Sequence, residues 1–419
     1  MKSTPYLITV FEHESLRTDQ GGKRLSDIDL KILQKFYGEK GVPYYSLIHN
    51  GVKFCEYVGV IQIGGKVIEV LPKADKHNDK NSWRKILIGM LQTVGVFDIH
   101  APTTSNLNLK SNSILELYFE LFIKELEYLI HSGLVKKYRK TEGNLTTLKG
   151  NIQFSKHLNL NLIHKERFFT RYTTYDHEHN IHSILYKGIK LLCKINTSEK
   201  LKSRLSSLML NFPEMPNIAI TEKSFENIVF DRKTEHYKRS LDIARIILLN
   251  YHPDVSRGEN NILALMFDMN ALWEQFVHLS LRRHKAKENT ITAQSIKYFW
   301  KPSMGRHSKM KPDIVINKDK PDCAVLDTKW KNLNGKNPAP EDLRQMFVYL
   351  KYFNANKVAL IYPGNEDGNR SGTFYDEKNG SIGKQECSII SVKVNRDIKQ
   401  WQKELTNQIN NWCNFHFDE

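Results

Sequence analysis

Two aspartates and a lysine lie close together in the stretch KPDIVINKDKPDCAVLDTKWK, residues 311–331. Asp313 precedes a short apolar run, and Asp327 ends a second apolar run two residues before Lys329. Side chains of a strand alternate between its two faces, so Asp327 and Lys329 share a face. The intervening segment 317–322 contains Lys-Pro and is typical of a hairpin turn. We therefore predict that the hairpin brings Asp313 opposite the region of Asp327, where the three side chains converge.

These three residues suit the hydrolysis of a phosphodiester. Asp313 and Asp327 supply hard oxygen ligands for Mg²⁺, with Mn²⁺ as an alternative, and leave positions for water and a phosphate oxygen. The metal lowers the pKa of water and stabilises charge on the phosphate, while Lys329 orients the attacking hydroxide or holds the scissile phosphate. Pro-Asp, a spacer and Asp-x-Lys form the pattern of PD-(D/E)xK nucleases. An ordinary hairpin with a surface Asp–Lys pair is the alternative interpretation.

The segment before the pattern favours the nuclease interpretation. Residues 297–311 contain five Lys or Arg, no acidic residue and three interleaved aromatic residues. Such a segment suits contact with a phosphate backbone. We predict Arg306, Lys309 and Lys311 as DNA-binding residues, and a solvated basic loop is the alternative.

Two amphipathic helices carry further catalytic candidates. PEDLRQMFVYLKYF places Gln345 and Tyr349 four residues apart on one helix face. Many nucleases of this superfamily have a Gln-x3-Tyr helix beside the metal site, although Tyr349 alone would be interpreted as core packing. Upstream, MFDMNALWEQFVHL places Glu274 beside apolar residues, where such nucleases often have an acid that helps to hold metal. A glutamate on the helix surface is the competing interpretation.

The remaining elements predict an α/β chain of the α+β multidomain class, in three parts. Residues 1–105 form a β-rich amino-terminal domain, 106–254 a mixed α/β middle region, and 255–419 a PD-(D/E)xK restriction-endonuclease-like domain. The patterns that define the first two parts are a Gly64-Gly65 hairpin, a helix at about 82–94, a long helix ended by Gly133, extended segments around 134–172, and helices near 180–194 and 236–249.

Net charge indicates the class of partner, and cysteine content indicates the redox compartment. The 62 Lys and Arg against 46 Asp and Glu give a net charge of +16, which favours a polyanion. No window approaches 18 apolar residues and no signal peptide is present, so the sequence favours nucleic acid and indicates no membrane. Five widely spaced cysteines without a CxxC pair predict a reducing cytoplasm and argue against a disulfide framework or zinc site.

Two other patterns are not expected to bind a cofactor. In YDHEHNIHSIL, the histidines His177, His179 and His182 lack the spacing of an HExxH zinc helix. GGK at 64–66 and NGK at 334–336 lack the length and the Ser/Thr of a phosphate-binding loop. We therefore expect this chain to bind no nucleotide.

The whole chain resembles McrC, the nuclease subunit of McrBC modification-dependent restriction systems. The matching stretches lie roughly within residues 55–360. They are YVGVIQIGGKVIEVLPK, GNLTTLKGNIQF, FFTRYTTYDHEHNIHSILYKGIKLL, FDMNALWEQFV, KPDIVI, LDTKW and DLRQMFVYLKYF. By this resemblance, Asp313 and Asp327 match the metal-binding acids of the family and Lys329 matches its catalytic lysine.

The resemblance also implies a partner. McrC proteins act with McrB, an AAA+ GTPase that binds GTP, recognises modified DNA and forms a ring into which the amino-terminal half of McrC docks. It implies double-stranded DNA carrying modified cytosine as substrate and assigns ring docking to residues 1–105. Two alternatives are a non-catalytic activator of a GTPase ring and a stand-alone DNA-repair nuclease. The retained Asp313, Asp327 and Lys329 argue against the first, and the resemblance outside the nuclease argues against the second.

Overall fold

A computed structural model gives the fold of residues 6–19, 25–73, 79–95, 114–252, 261–284, 289–376 and 380–413. The predicted domain boundaries near residues 105 and 254 lie outside these described residues. Within them, no helix combines the length and the apolar character needed to cross a membrane.

The described residues contain both strands and helices. The strands are β1 (Tyr6–Phe11), β2 (Ser15–Arg17), β3 (Tyr45–Ile48), β4 (Gly51–Phe54), β5 (Tyr57–Ile63), β6 (Lys66–Leu71), β7 (Lys137–Leu145), β8 (Asn151–Ile152), β9 (Phe168–Asp176), β10 (Tyr251–His252), β11 (Ile262–Asp268), β12 (Ile291–Ala293), β13 (Lys297–Trp300), β14 (Ser308–Met310), β15 (Ile314–Ile316), β16 (Ala324–Thr328), β17 (Lys357–Gly364), β18 (Gly368–Tyr375) and β19 (Ile382–Lys393). The helices are α1 (Asp27–Tyr37), α2 (Lys80–Val94), α3 (Ile114–Ser132), α4 (Phe154–Asn161), α5 (Asn180–Ile195), α6 (Glu199–Asn211), α7 (Glu222–Glu226), α8 (Lys238–Leu249), α9 (Met269–Arg283), α10 (Pro340–Phe353) and α11 (Ile398–Cys413). The predicted α+β class is confirmed.

Local signals account for several element boundaries. Asp79 caps α2 by accepting hydrogen bonds from two backbone N–H groups of its first turn, and Gly95 ends it in the left-handed region at φ 88°. Gly133 ends α3 in the same way at φ 89°. Ile63 pairs with Lys66 across the two glycines, which confirms the β5–β6 hairpin.

The middle of the chain differs in part from the prediction. The predicted helices near 180–194 and 236–249 correspond to α5 and α8. The segment expected to be extended contains helix α4 between β8 and β9, and α6 was not predicted. Leu201, Leu205 and Leu208 alone are buried in α6, so its apolar stripe is narrow and its sequence pattern is weak.

The described chain divides into two compact units that do not follow the three predicted parts. One unit comprises Met1–Tyr6 with Ile99–Leu265, and the other comprises Leu7–Asp98 with Met266–Glu419. The first predicted part therefore packs with the third rather than forming a domain of its own.

Buried aromatic packing explains why these two distant segments share a unit. Trp83 of α2 meets Trp330 edge to face, with ring centroids 6.5 Å apart. Trp273 of α9 lies 5.6 Å from Trp330 and 5.4 Å from Trp401 of α11. Three of these rings are at most 2% exposed and Trp330 is 7% exposed, so separating the segments would expose a large apolar area.

A six-stranded mixed sheet forms the centre of this second unit. Its strand order is β12-β15-β16-β17-β19-β18. β15 and β16 form an antiparallel hairpin, whereas β17 runs parallel to both β16 and β19. Helix α10 connects β16 to β17 and packs against both strands. The sheet thus has its two centrally paired strands, β16 and β17, buried along most of their length.

The first unit combines packed helices with a three-stranded sheet in the order β7-β9-β8, in which β7 and β9 form a long ribbon. Helices α3, α5, α6 and α8 pack on one another. β7 and β9 pair over nine residues, from Lys137↔Asp176 to Leu145↔Phe168. At about 3.4 Å per residue, the far end of this ribbon lies on the order of 30 Å along the strands from its start.

The contact between α2 and α11 can be tested at Gly89. A Cβ atom at Gly89 would lie 2.2 Å from Cγ1 of Ile398. We expect Gly89→Ala to lower the free energy of unfolding by about 1–3 kcal/mol, because overpacking outweighs the better helix propensity of alanine. Urea denaturation would measure the change.

The control is to make the same substitution in an Ile398→Ala variant, which lacks the clashing atoms. In that variant Gly89→Ala should lower the free energy of unfolding by less, and the difference measures the coupling between the two positions. An unchanged or higher stability of the single Gly89→Ala variant would contradict this packing.

Candidate active site

The β15–β16 hairpin positions the predicted carboxylates. Ile314 pairs with Leu326, which places Asp313 and Asp327 next to each other at the end of the ladder. Asn317 and Asp319 adopt left-handed backbone conformations at φ 49° and 63° and form the turn. The predicted convergence is therefore present in the structure.

Asp313 is oriented by the neighbouring strand. Its Oδ2 accepts hydrogen bonds from the backbone N–H of Thr328 at 2.7 Å and from the Thr328 hydroxyl at 2.8 Å. Burial raises the pKa of Asp313, and the Thr328 hydrogen bonds and the Lys329 charge oppose that effect without cancelling it. Thr328 is the residue after Asp327, and its hydrogen bonds therefore hold Asp313 against the strand that carries Asp327.

Asp327 and Lys329 form an ion pair on one face. Their Oδ2 and Nζ atoms lie 2.8 Å apart, and Asp327 is 2% exposed. Burial and the nearby charge of Asp313 raise the pKa of Asp327 to about 6. Burial lowers the pKa of Lys329, but the surrounding carboxylates, chiefly Asp327, outweigh burial and raise it. The lysine is therefore held in its charged form.

Glu274 of α9 is linked to Asp313 by Gln294, a residue that the sequence analysis did not predict. Gln294 donates from its side chain to Glu274 Oε1 at 2.8 Å and from its backbone N–H to the Asp313 carbonyl at 2.9 Å. Its left-handed backbone, φ 52°, permits both contacts. Burial and the charge of Asp313 raise the pKa of Glu274. No local pattern marks Gln294, because it lies in a loop between short strands.

Helix α10 contributes the predicted polar pair and one further acid. Gln345 donates to the Tyr349 hydroxyl at 2.8 Å, and Tyr349 is 4% exposed. Burial, followed by the charge of Asp327, raises the pKa of Tyr349. Asp342 lies 4.0 Å from Lys329 Nζ and was not predicted, although its place three residues before Gln345 puts it on the same helix face.

The predicted DNA-binding residues lie on a hairpin beside this group. β13 and β14 pair as a separate two-stranded sheet, and Arg306, Lys309 and Lys311 are all exposed on it or next to it. Lys311 is near enough to lower the pKa of Asp313 slightly, against the larger effect of burial. The basic segment thus leads directly to the carboxylates.

The donor set fits a hard divalent cation. No group of three or more His, Cys, Asp or Glu among the described residues could hold a metal ion. Asp313 and Asp327 provide two carboxylates, and the partner of Asp327 Oδ2 is the Lys329 ammonium at 2.8 Å. Mg²⁺ is usually held by one or two carboxylates together with water, and a cation held by both would offset their repulsion.

Of the histidine cluster, His182 is buried in the other unit, whereas His177 and His179 are half-buried. His182 donates from Nδ1 to the His177 carbonyl at 2.7 Å and accepts at Nε2 from the Tyr237 hydroxyl at 3.1 Å. Burial lowers the pKa of His182 to about 3, so the ring is neutral. Both ring nitrogens are thereby occupied by hydrogen bonds.

Comparison with known proteins identifies the family. The family described as McrBC 5-methylcytosine restriction system component matches residues 52–363. The chain belongs to the McrBC family. This match includes the hairpin with Asp313, Asp327 and Lys329. Comparison with curated proteins gives no match.

Comparison with solved structures shows a chain with the same fold. It is a chain of the refined half-complex from a tetradecameric assembly of Thermococcus gammatolerans McrB AAA+ hexamers with bound McrC. The TM-score is 0.72 at 21% identity, covering 97% of this chain and 100% of that chain. A chain from the cryo-EM structure of the Thermococcus gammatolerans McrBC complex gives a TM-score of 0.49 at 21% identity, covering 67% of this chain and 88% of that chain.

The buried Glu12, from the amino-terminal segment of the second unit, contacts the residue that follows Lys329. Glu12 Oε1 accepts from the Trp330 indole at 2.8 Å and from the Lys73 backbone at 2.7 Å. Trp330 follows Lys329 directly, and Asn270 accepts its backbone N–H at 3.2 Å. Burial raises the pKa of Glu12 from 4.5 to about 7. Glu12 was not predicted, because its contact with Trp330 joins residues 318 positions apart.

This pKa predicts the pH dependence of stability. Between pH 4.5 and about 7 the folded state binds more protons at Glu12 than the unfolded state does. The free energy of unfolding should therefore fall as pH rises through that window, by at most on the order of 3 kcal/mol. Glu12→Gln should remove that part of the fall, since Oε2 accepts no hydrogen bond and can be replaced by an amide. Denaturation at a series of pH values measures both curves, and parallel curves would contradict the assignment.

Proposed function

We propose that the chain is the DNA endonuclease subunit of a GTP-dependent, modification-dependent restriction complex. The observation that carries this proposal is the meeting of Asp313, Asp327 and Lys329 on one side of the β15–β16 hairpin. Lys329 Nζ lies 2.8 Å from Asp327, and Thr328 ties Asp313 to the same strand. The McrBC family match is consistent with this role.

Each residue at the site has a distinct role in the proposed reaction, in which water attacks phosphorus and one P–O bond breaks. Mg²⁺, held by Asp313 and Asp327, would act as a Lewis acid on the phosphate. Lys329 remains charged beside Asp327 and can hold the scissile phosphate or orient the attacking water. Thr328 keeps Asp313 in place through two hydrogen bonds.

Residues around Asp313, Asp327 and Lys329 position these three side chains and the DNA. Glu274, oriented by Gln294, adds negative charge near Asp313 and assists metal binding. Gln345 and Tyr349 support the face of α10 nearest Asp327. Exposed basic side chains on the β13–β14 hairpin contact the phosphates on the approach to the site.

The β7–β9 ribbon is the surface that we propose for the AAA+ partner. The segment that joins β7 to β9 at the far end of the ribbon, and contains α4, exposes several large apolar side chains. They are Leu148, Phe154, Leu158, Leu160, Leu162 and Ile163, between 56% and 86% exposed. An apolar patch of this kind marks a protein–protein contact. In the Thermococcus gammatolerans structure with the same fold, McrB AAA+ hexamers carry bound McrC. The proposal places ring docking here rather than in residues 1–105, which belong largely to the nuclease unit.

The metal site predicts the effect of two substitutions on DNA cutting. Asp327→Asn should lower the cleavage rate at least roughly 100-fold, since it removes one charged oxygen ligand. Lys329→Ala should lower it to a similar extent and still bind Mg²⁺ in calorimetry. Cleavage is measured with the partner GTPase, GTP, Mg²⁺ and 5-methylcytosine DNA.

Asp319→Asn is the matched control for these variants. It removes the same charge from the turn of the same hairpin, where Asp319 is exposed, and asparagine tolerates the left-handed backbone. Near wild-type cutting by Asp327→Asn would show that the site lies elsewhere. Cutting of unmethylated DNA at the same rate would refute modification dependence alone.

The docking surface predicts a separate loss. Leu162→Asp with Ile163→Asp should weaken partner binding at least about 30-fold, as expected for central apolar contacts, and should abolish GTPase stimulation. Leu210→Asp is the control, because Leu210 is 87% exposed on α6 of the same unit and lies off the ribbon. Equal losses in both variants, or stimulation that survives the double substitution, would rule out the ribbon as the docking surface.

A further inference from the structure

The β13–β14 hairpin exposes its aromatic residues to solvent. Tyr298, Phe299 and Trp300 of β13 are 66%, 49% and 59% exposed, and Met304 in the connecting loop is 90% exposed. Consecutive residues of a strand point to opposite faces, so the hairpin is open to solvent on both faces. A hairpin that packed on the body of the unit would bury one of them.

The β13–β14 pairing is irregular at the exposed rings. Tyr298 pairs with Lys309 and Trp300 pairs with Ser308, which leaves Phe299 as an extra residue on β13. Such a bulge increases local twist and changes the direction of the side chains beside it. The tip therefore presents adjacent rings in place of a regular alternating ladder.

The base of the hairpin is firmly attached. Met310 is 6% exposed and belongs to the apolar core beneath the sheet. Lys297 donates to the Tyr352 carbonyl at 2.9 Å and lies over the Phe353 ring at 4.8 Å. The exposed rings are thus carried on a fixed support, so their exposure does not result from a loose attachment.

Position and charge identify the occupant of this surface. Lys301, Arg306 and Lys309 belong to the same hairpin as the rings, and residues 297–311 contain no acidic residue. Lys309 lies four residues before Asp313, at most about 13 Å along an extended chain. The far end of the hairpin is about six residues, or at most about 20 Å, beyond Met310, a span of roughly six base pairs at 3.4 Å per base pair.

We propose that this hairpin is a base-stacking element that opens the DNA next to the cut. Trp300, with Phe299 beside it, stacks on a base and separates it from its neighbour, while Arg306 and Lys309 hold the flanking phosphates. Apolar and aromatic wedges of this type unstack base steps and kink duplexes. The inference rests on the proposed function, since it concerns the same DNA, and it assigns to the rings a role that basic residues cannot fill.

The first measurement is base unstacking by the full chain. Duplexes carry the fluorescent base 2-aminopurine at successive positions and are mixed with protein without divalent metal, so that no cutting occurs. Wild type should raise the fluorescence at positions within about six base pairs of the cut site. Trp300→Ala should remove most of that rise, and Trp300→Phe should keep it.

The second measurement separates stacking from charge. Trp300→Ala should weaken binding about ten-fold, the typical cost of one lost aromatic–base contact, without changing the dependence of affinity on salt. Arg306→Ala with Lys309→Ala should lessen the salt dependence instead. Tyr375→Ala is the control, because Tyr375 is 70% exposed on β18 of the same unit and should alter neither quantity.

The third measurement is rescue with DNA that is already open. With the partner, GTP and Mg²⁺, Trp300→Ala should cut a paired duplex about ten-fold more slowly than wild type and a duplex with two mismatched base pairs at a similar rate. Equal loss on both duplexes would indicate a structural defect and overturn the inference. Unaltered cutting with lost GTPase stimulation would assign the rings to a protein partner and also overturn it.

The outcomes also separate this inference from the proposed function. Wild type that cuts DNA without a fluorescence rise would overturn the stacking role alone. A fluorescence rise without cutting under any condition would overturn the nuclease and keep the stacking role. Wild type that neither binds nor cuts DNA would overturn both.

Discussion

The repulsion between two neighbouring carboxylates, one buried and one half-buried, is the constraint on which the site depends. Asp313 and Asp327 lie at the same end of adjacent strands, where Asp327 is buried and Asp313 is half-buried. Burial, followed by the nearby charge of Asp313, disfavours ionisation of Asp327 and raises its pKa to about 6. Hydrogen bonds from Thr328 and the charge of Lys329 reduce this cost without removing it. In the proposed nuclease, a cation bound by both carboxylates would offset this repulsion.

The local part of this arrangement could be predicted from the sequence. Strand alternation places Asp327 and Lys329 on one face, and the Lys-Pro turn brings Asp313 back to them. The Gln345–Tyr349 pair follows from helical spacing alone. In each case the interacting residues are close in sequence, and the regular geometry of a strand or helix determines their contact.

Contacts between distant segments could not be predicted in this way. Gln294 reaches Glu274 from a left-handed loop position, and Glu12 reaches Trp330 from the opposite end of the chain. No periodicity relates such residues, because the tertiary packing of α2, α9 and α11 brings them together. The three predicted parts differ from the two compact units for the same reason. The prediction followed changes of sequence pattern along the chain, whereas the units are determined by packing between buried rings of distant segments.

The division of the second unit between two chain segments has a consequence for protein synthesis. Residues 7–98 leave the ribosome before the intervening unit, and α11 leaves it only after that unit and the six-stranded sheet. Translation of the 99–265 segment alone takes on the order of ten seconds or more. During that time Trp83 lacks Trp273, Trp330 and Trp401 as packing partners, and Glu12 lacks the indole that it binds. The nascent polypeptide therefore cannot complete the proposed catalytic centre until α11 has been synthesised.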